Sequence, residues 1–196
     1  MKERCPWGES NEWNTPYHDT EWGTPVHDDT RHFEFLVLEA AQAGLSWVTI
    51  LKKRDAYRRA YRGFDPARVA RFTQRDVARL LADEGIVRNR LKITSSINNA
   101  KRYLAVQKEF GSFDAYLWKW TGGKPVVNSW TSQSQVPPRT ELSDAVSKDL
   151  KARGFSFVGS TIIYSHLQAV GVVNDHLVSC FRWKDVQKGG RRGGGR

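Results

Sequence analysis

The stretch LLADEGIVRNRLKI, residues 80–93, decides the fold. Leu80 and Leu81 end a segment with helical spacing, Glu84-Gly85-Ile86 leaves room only for a tight turn, and the spacing resumes from Arg90. The reading is helix, short turn, helix. Gly85 is expected to supply a left-handed turn. Exposed amides there and the start of the second helix can hold a phosphate. Arg88, Arg90 and Lys92 add positive charge. By pattern alone this is either a DNA-gripping hairpin or one more pair of packed helices.

The rest of the chain reads the same way. DDTRHFEFLVLEAAQAG (28–44) has Phe33, Leu36, Val37, Ala40 and Ala41 on one face and stops at Gly44. Ser46 caps WVTILKKRDAYRRAYRG, which ends at Gly63, and Asp65-Pro66 opens a short helix. Thr73 with Asp76 forms a capping box for QRDVARLLADEG. RLKITSSINNAKRYLAVQKEFG and SFDAYLWKWTGG follow, then a long Ser/Thr/Gly/Pro-rich loop over 121–140. SDAVSKDLKARG, STIIYSHLQAVG and NDHLVSC complete an all-α chain with no strand alternation and no repeat. Residues 1–186 are expected to form one compact domain, or two closely packed lobes, and 187–196 a disordered basic Gly/Arg-rich tail.

Lys+Arg 31 against Asp+Glu 21 gives a net charge of +10, which suits either a polyanion partner or a solubilised surface. Eight tryptophans, nine phenylalanines and six tyrosines exceed what a core of 196 residues usually needs. No leader-like or membrane-spanning apolar run is present, so a soluble, cytoplasmic protein is expected. In a reducing compartment Cys5 and Cys180, the two cysteines, are not expected to pair.

His176 and Cys180 stand four residues apart, a spacing that places both on one helix face. Cys5 and His18 offer a complementary pair from the other end of the chain. Two Cys and two His saturate tetrahedral zinc without an open position, which makes such a site structural. The competing reading is two unrelated thiols and a core histidine. Glu39 is the one charge between Phe35 and Trp47, costly in apolar company unless partnered. It either pairs with an arginine such as Arg31 or Arg54 or faces a ligand. Leu45, beside Gly44, is either a wedge into DNA or an interhelical staple.

ERCPWG, YHDTEWG, AGLSWVTILKKR, GIVRNRLKI, GFSFVGSTIIYS and VNDHLVSC, taken in order over residues 3–181, resemble the 3-methyladenine DNA glycosylase I family of bacterial base-excision repair enzymes. The resemblance implies an all-helical fold of the helix-hairpin-helix glycosylase superfamily. It implies one structural Zn²⁺ on Cys5, His18, His176 and Cys180, joining the N- and C-terminal segments. A flipped, cationic base would meet Glu39 and Tyr17 at its edge and Trp47 on its face, with Trp7 as a further wall. Gly44, Leu45, Gly85, Arg88, Arg90 and Lys92 would hold double-stranded DNA containing alkylated adenine. Glu39 is the one candidate catalytic group, acting through recognition and electrostatics; no catalytic aspartate and no lysine nucleophile are assigned, so hydrolysis without strand nicking is expected from a monomer. The family usually carries a tyrosine where this chain has Asn14, so one pocket wall or its entrance is expected to differ. A reader of alkylated DNA that does not cut, and a zinc hydrolase with an open metal position, are the alternatives.

Overall fold

A computed structural model describes residues 2–189. Its centre is α2 (Asp29–Gln42), which buries every side chain from His32 to Ala41. Asp28 caps this helix by accepting the Arg31 amide at 2.8 Å. Around it pack α3 (Trp47–Ala60), α6 (Arg90–Phe110), α7 (Phe113–Trp118) and α9 (Ser160–Ala169). Ser46 caps α3 and Asn89 caps α6 by accepting the Lys92 amide at 3.1 Å. The Thr73/Asp76 capping box forms at the start of α5 (Gln74–Ala82), preceded by α4 (Pro66–Val69). Helix α8 (Glu141–Ala152) lies against α9.

Both ends of the domain hold structure beyond the sequence expectation. A 3-10 turn at Pro6–Glu9 leads into α1 (Asn14–Thr20), and α10 (Phe181–Gly189) follows the last motif. Of the residues expected in the tail, 187–189 continue α10, and 190–196 lie outside the described residues. NDHLVSC is not a helix. Its amides are taken elsewhere: His176 donates to the Asn174 side chain at 3.2 Å, Leu177 to the Cys5 sulfur at 3.4 Å and Val178 to the Trp130 carbonyl at 2.9 Å. A helical ladder cannot form while those donors are engaged.

The long loop is pinned rather than free. Val126–Val127 (β1) pairs in parallel with Val173–Asn174 (β2), a two-residue ladder in an otherwise helical molecule. Between α5 and α6, Gly85 does not take a left-handed conformation, contrary to expectation. A Cβ there would lie 2.6 Å from the Ala56 Cβ and 2.9 Å from Asp83 Oδ1, so glycine is required by the close approach to α3.

Candidate functional site

Four side chains from the two ends of the chain converge. Cys5, His18, His176 and Cys180 are all buried, and their ligand atoms lie within 4.8 Å of one another. The sulfur of Cys180 is 3.5 Å from His18 Nε2 and 3.6 Å from His176 Nδ1; that of Cys5 is 3.7 Å from His176 Nδ1. Zinc's usual bond lengths to sulfur and nitrogen give tetrahedral edges of about 3.6 Å, so the donor set fits such an ion. The outer ring nitrogens are also placed for it. His18 Nδ1 meets Asp19 at 2.8 Å, with Arg4 behind that carboxylate, and His176 Nε2 meets the Trp22 carbonyl at 3.0 Å. Glycines make the room: a Cβ on Gly8 would sit 2.6 Å from His18, and one on Gly23 would sit 2.9 Å from His176.

Beside this cluster opens a cavity of about 420 Å³. Trp7, Tyr17, Trp22, Glu39 and Trp47 all line it, four of the five having been singled out in the sequence. Trp7 packs edge-on to His18 and to Trp22, with centroids 5.2 and 4.9 Å apart, and Trp22 is edge-on to His176 at 4.5 Å. The metal-ligand cluster and the aromatic wall are therefore one packed unit. Asn14 does not line the cavity: its amide donates to the Trp7 carbonyl at 3.1 Å and to Ser10 Oγ at 2.9 Å, bracing the wall from behind.

Glu39 is only 4% exposed and hydrogen-bonds to no described residue. The arginines that might pair with it are engaged elsewhere. Arg54 forks Glu21 at 2.8 Å and reaches Glu34 at 2.8 Å; Arg31 bridges the same two carboxylates at 2.7 Å. Burial alone pushes the Glu39 carboxyl up to about 8. Burial and the neighbouring Glu39 likewise push the Tyr17 hydroxyl well above its ordinary range. The Trp47 indole nitrogen is buried without a partner. Glu39 and Tyr17 thus line the hollow without a side-chain hydrogen-bond partner among the described residues, with the Trp47 ring beside them.

Sequence reasoning missed the opposite wall. Thr161, Tyr164, Ser165 and Gln168 lie on one face of α9, a spacing of three, four and seven that was legible. Asp175 lies in VNDHLVSC, immediately before the predicted ligand His176, and the sequence reading assigns it no role. Buried at 2% exposure, it accepts from Asn128 and Trp130 at 2.7 Å and from Gln168 at 2.6 Å, and also from the Tyr164 hydroxyl. It stitches the 121–140 loop to α9, and Gln133 and Val136–Pro138 of that loop close the cavity.

The residues expected to meet DNA divide. Gly44 turns the chain at φ +78°, and Leu45 is 42% exposed at the corner, beside a recess shared with Thr161 and Ile162. Arg88 and Arg90 are exposed, Arg88 with Glu84 3.6 Å away. The amides of Gly85 and Val87 are already engaged, by Asp83 and the Tyr57 hydroxyl, so they offer nothing to a phosphate. Lys92 also departs from expectation. Its ammonium donates to the carbonyls of Ala41 and Ala43 at 2.8 and 2.6 Å, which ties α6 to the Gly44–Leu45 turn and leaves the charge facing inward.

Residues 7–183 match the family described as methyladenine glycosylase. The chain is 47% identical over 178 residues to DNA-3-methyladenine glycosylase 1 of Escherichia coli, covering 91% of this chain and 95% of that one. It is 43% identical to DNA-3-methyladenine glycosylase of Haemophilus influenzae, over 92% and 97%. Among solved structures, a crystal structure of 3-methyladenine DNA glycosylase I superposes with a TM-score of 0.88 at 46% identity, covering 91% and 98%. The Staphylococcus aureus enzyme, whose structure was described for its recognition of 3-methyladenine, gives 0.87 at 38% identity, covering 90% and 94%.

Proposed function

Because the chain belongs to the methyladenine glycosylase family, we propose that it hydrolyses the N-glycosidic bond of 3-methyladenine in double-stranded DNA, with the damaged nucleotide turned out into the cavity beside Glu39. The observation that carries the reading is the unpartnered Glu39 carboxyl among aromatic rings, with every nearby arginine engaged elsewhere.

The chemistry follows from charge. A purine alkylated at N3 is cationic while joined to sugar. Entering the cavity, it brings the charge that burial denies Glu39, so capture draws the carboxyl toward its ionised form and releases a proton. Tyr17 offers a polar contact at the base edge, and Trp47 and the other rings supply stacking worth about 1–3 kcal/mol per base. Neutral adenine gains the stacking without the ion pair. As the bond breaks, its electron pair stays with the base, which leaves neutral, while positive charge develops at the sugar carbon. Water adds there and loses a proton, leaving an abasic site. The reaction needs no lysine adduct, so the strand is not nicked.

Zinc on Cys5, His18, His176 and Cys180 would be held by four protein ligands and would act as a structural staple. Its part would be to hold Trp7, Tyr17 and Trp22 in place. Saturation of the ion by protein argues against metal-based hydrolysis.

Purified protein incubated with methylated duplex is expected to release free 3-methyladenine and leave intact strands bearing abasic sites. Tight binding with no release would favour a non-catalytic reader and overturn the enzymatic reading.

A further inference from the structure

We infer that the groove between α8 and the start of α9 carries the phosphate backbone of the DNA strand whose base occupies the cavity. This rests on the function proposed above and adds a surface that neither the hairpin nor the Leu45 turn supplies.

The groove encloses about 400 Å³, with Arg139, Lys148 and Lys151 on one side and Ser160 and Thr161 on the other. Lys148 and Lys151 are three residues apart, so they share a face of α8. Both are exposed, and neither forms an ion pair with a described residue. Arg153, just beyond the helix, differs: Glu109 and Asp149 hold it at 2.6 Å each. The one acid in the groove, Asp144, lies 3.5 Å from Arg139 and is exposed, which leaves the lysines in charge excess. Ser147 is turned away, donating to the Val158 carbonyl at 2.6 Å. The opposite lip adds to the attraction. Helix α9 begins at Gly159 with no side-chain cap, and a Cβ on that glycine would meet nothing within 4 Å. The space over that glycine is open, and the dipole of α9 adds positive potential at this lip.

Position turns a basic groove into a backbone track. Thr161 lines the groove, the base cavity and the recess under Leu45. A nucleotide whose base fills the cavity has its sugar at the mouth, and its two phosphates must leave on either side. One direction leads under Leu45; the other leads past Thr161 to Lys148 and Lys151. On the Leu45 side, Lys92 joins the turn to the hairpin bearing Arg88 and Arg90. Hairpin, turn, cavity mouth and groove thus form consecutive stations along one strand.

The test uses the full chain and a duplex carrying a tetrahydrofuran abasic-site analogue, with affinity measured across a series of NaCl concentrations. Each phosphate contact contributes about 0.9 to the slope of log K against log salt. Lys148→Gln/Lys151→Gln is expected to lower that slope by about 1.8, with an unchanged unfolding midpoint. Lys148→Arg/Lys151→Arg is expected to keep the wild-type slope. A wild-type slope for the glutamine pair, or a lowered slope for the arginine pair, overturns the groove assignment alone. Failure of the wild-type protein to release 3-methyladenine from methylated duplex overturns the cavity reading and the groove with it.

Discussion

Glu34 and Glu39 sit five residues apart on α2, both buried, in opposite circumstances. Glu34 is met by Arg31, Arg54 and Arg58 within 2.9 Å and completes a folded interior. Glu39 has no such company and is held near neutrality, with its carboxyl at about 8 against an ordinary 4.5. Between those values the native state keeps a proton that the unfolded chain has lost, so stability falls as pH rises, by up to about 1.4 kcal/mol per unit. Glu39→Gln removes this penalty. Chemical denaturation should therefore find the variant more stable than wild type at pH 8 and by a smaller margin at pH 5. Its kcat/KM for base release should drop by about 10- to 100-fold, the loss of one charged hydrogen bond of roughly 1.5–3 kcal/mol. A variant less stable than wild type at pH 8 would mark Glu39 as a structural residue. The solitary carboxylate was visible in FLVLEAAQAGLSW, because one charge in an apolar run stands out. What it lacks was not visible: that Arg31 and Arg54 are engaged by Glu21 depends on where α1 ends.

At the scale of elements, helices announced by caps were legible, since Ser46 and Thr73 with Asp76 act within a single turn. The segment 174–180 was not, because its donors are claimed by Cys5 and Trp130, residues distant in sequence. The four side chains expected to bind metal do converge, while the helix expected to carry two of them is absent. Asp175 was overlooked for the same reason: its partners come from the 121–140 loop and α9, which local spacing cannot join. The clasp itself has a measurable weight. Cys180→Ala, or prolonged chelation of protein shown to contain zinc, should lower the thermal midpoint and slow base release together, as Trp7 and Trp22 lose their backing. Loss of metal with an unchanged midpoint would refute a stapling role.

For the whole molecule, pH balances two buried groups against each other. His166 is buried with both ring nitrogens unpaired, and burial pulls it down to about 3 from an ordinary 6.5. The unfolded chain takes up that proton below 6.5 and the native state does not, so His166 costs stability as pH falls toward 3. Glu39 acts in the opposite sense between 8 and 4.5. Their slopes nearly cancel from 6.5 to 4.5, and below 4.5 His166 acts unopposed. It is then joined by Asp19, Glu21, Asp114 and Asp149, which arginine or histidine partners hold below the usual carboxylate range. Urea midpoints measured from pH 8 to 4 should thus fall less steeply from 6.5 to 4.5 in the wild type than in Glu39→Gln, with the buried His176 adding to the fall in both. In Glu39→Gln they should begin to fall near 6.5. Parallel curves for the two proteins would show that the pair does not balance.

One consequence concerns synthesis. Cys5 and His176, which share the buried Cys/His cluster, are separated by 171 positions. A ribosome must therefore deliver everything from residue 5 to residue 180 before the last two of the four donors, and the Asp175 beside them, are all present. A translation product halted short of residue 180 cannot hold the ion with all four donors or close the aromatic hollow. Base excision would thereby wait on residues 174–180, which complete both the donor cluster and the wall of the hollow.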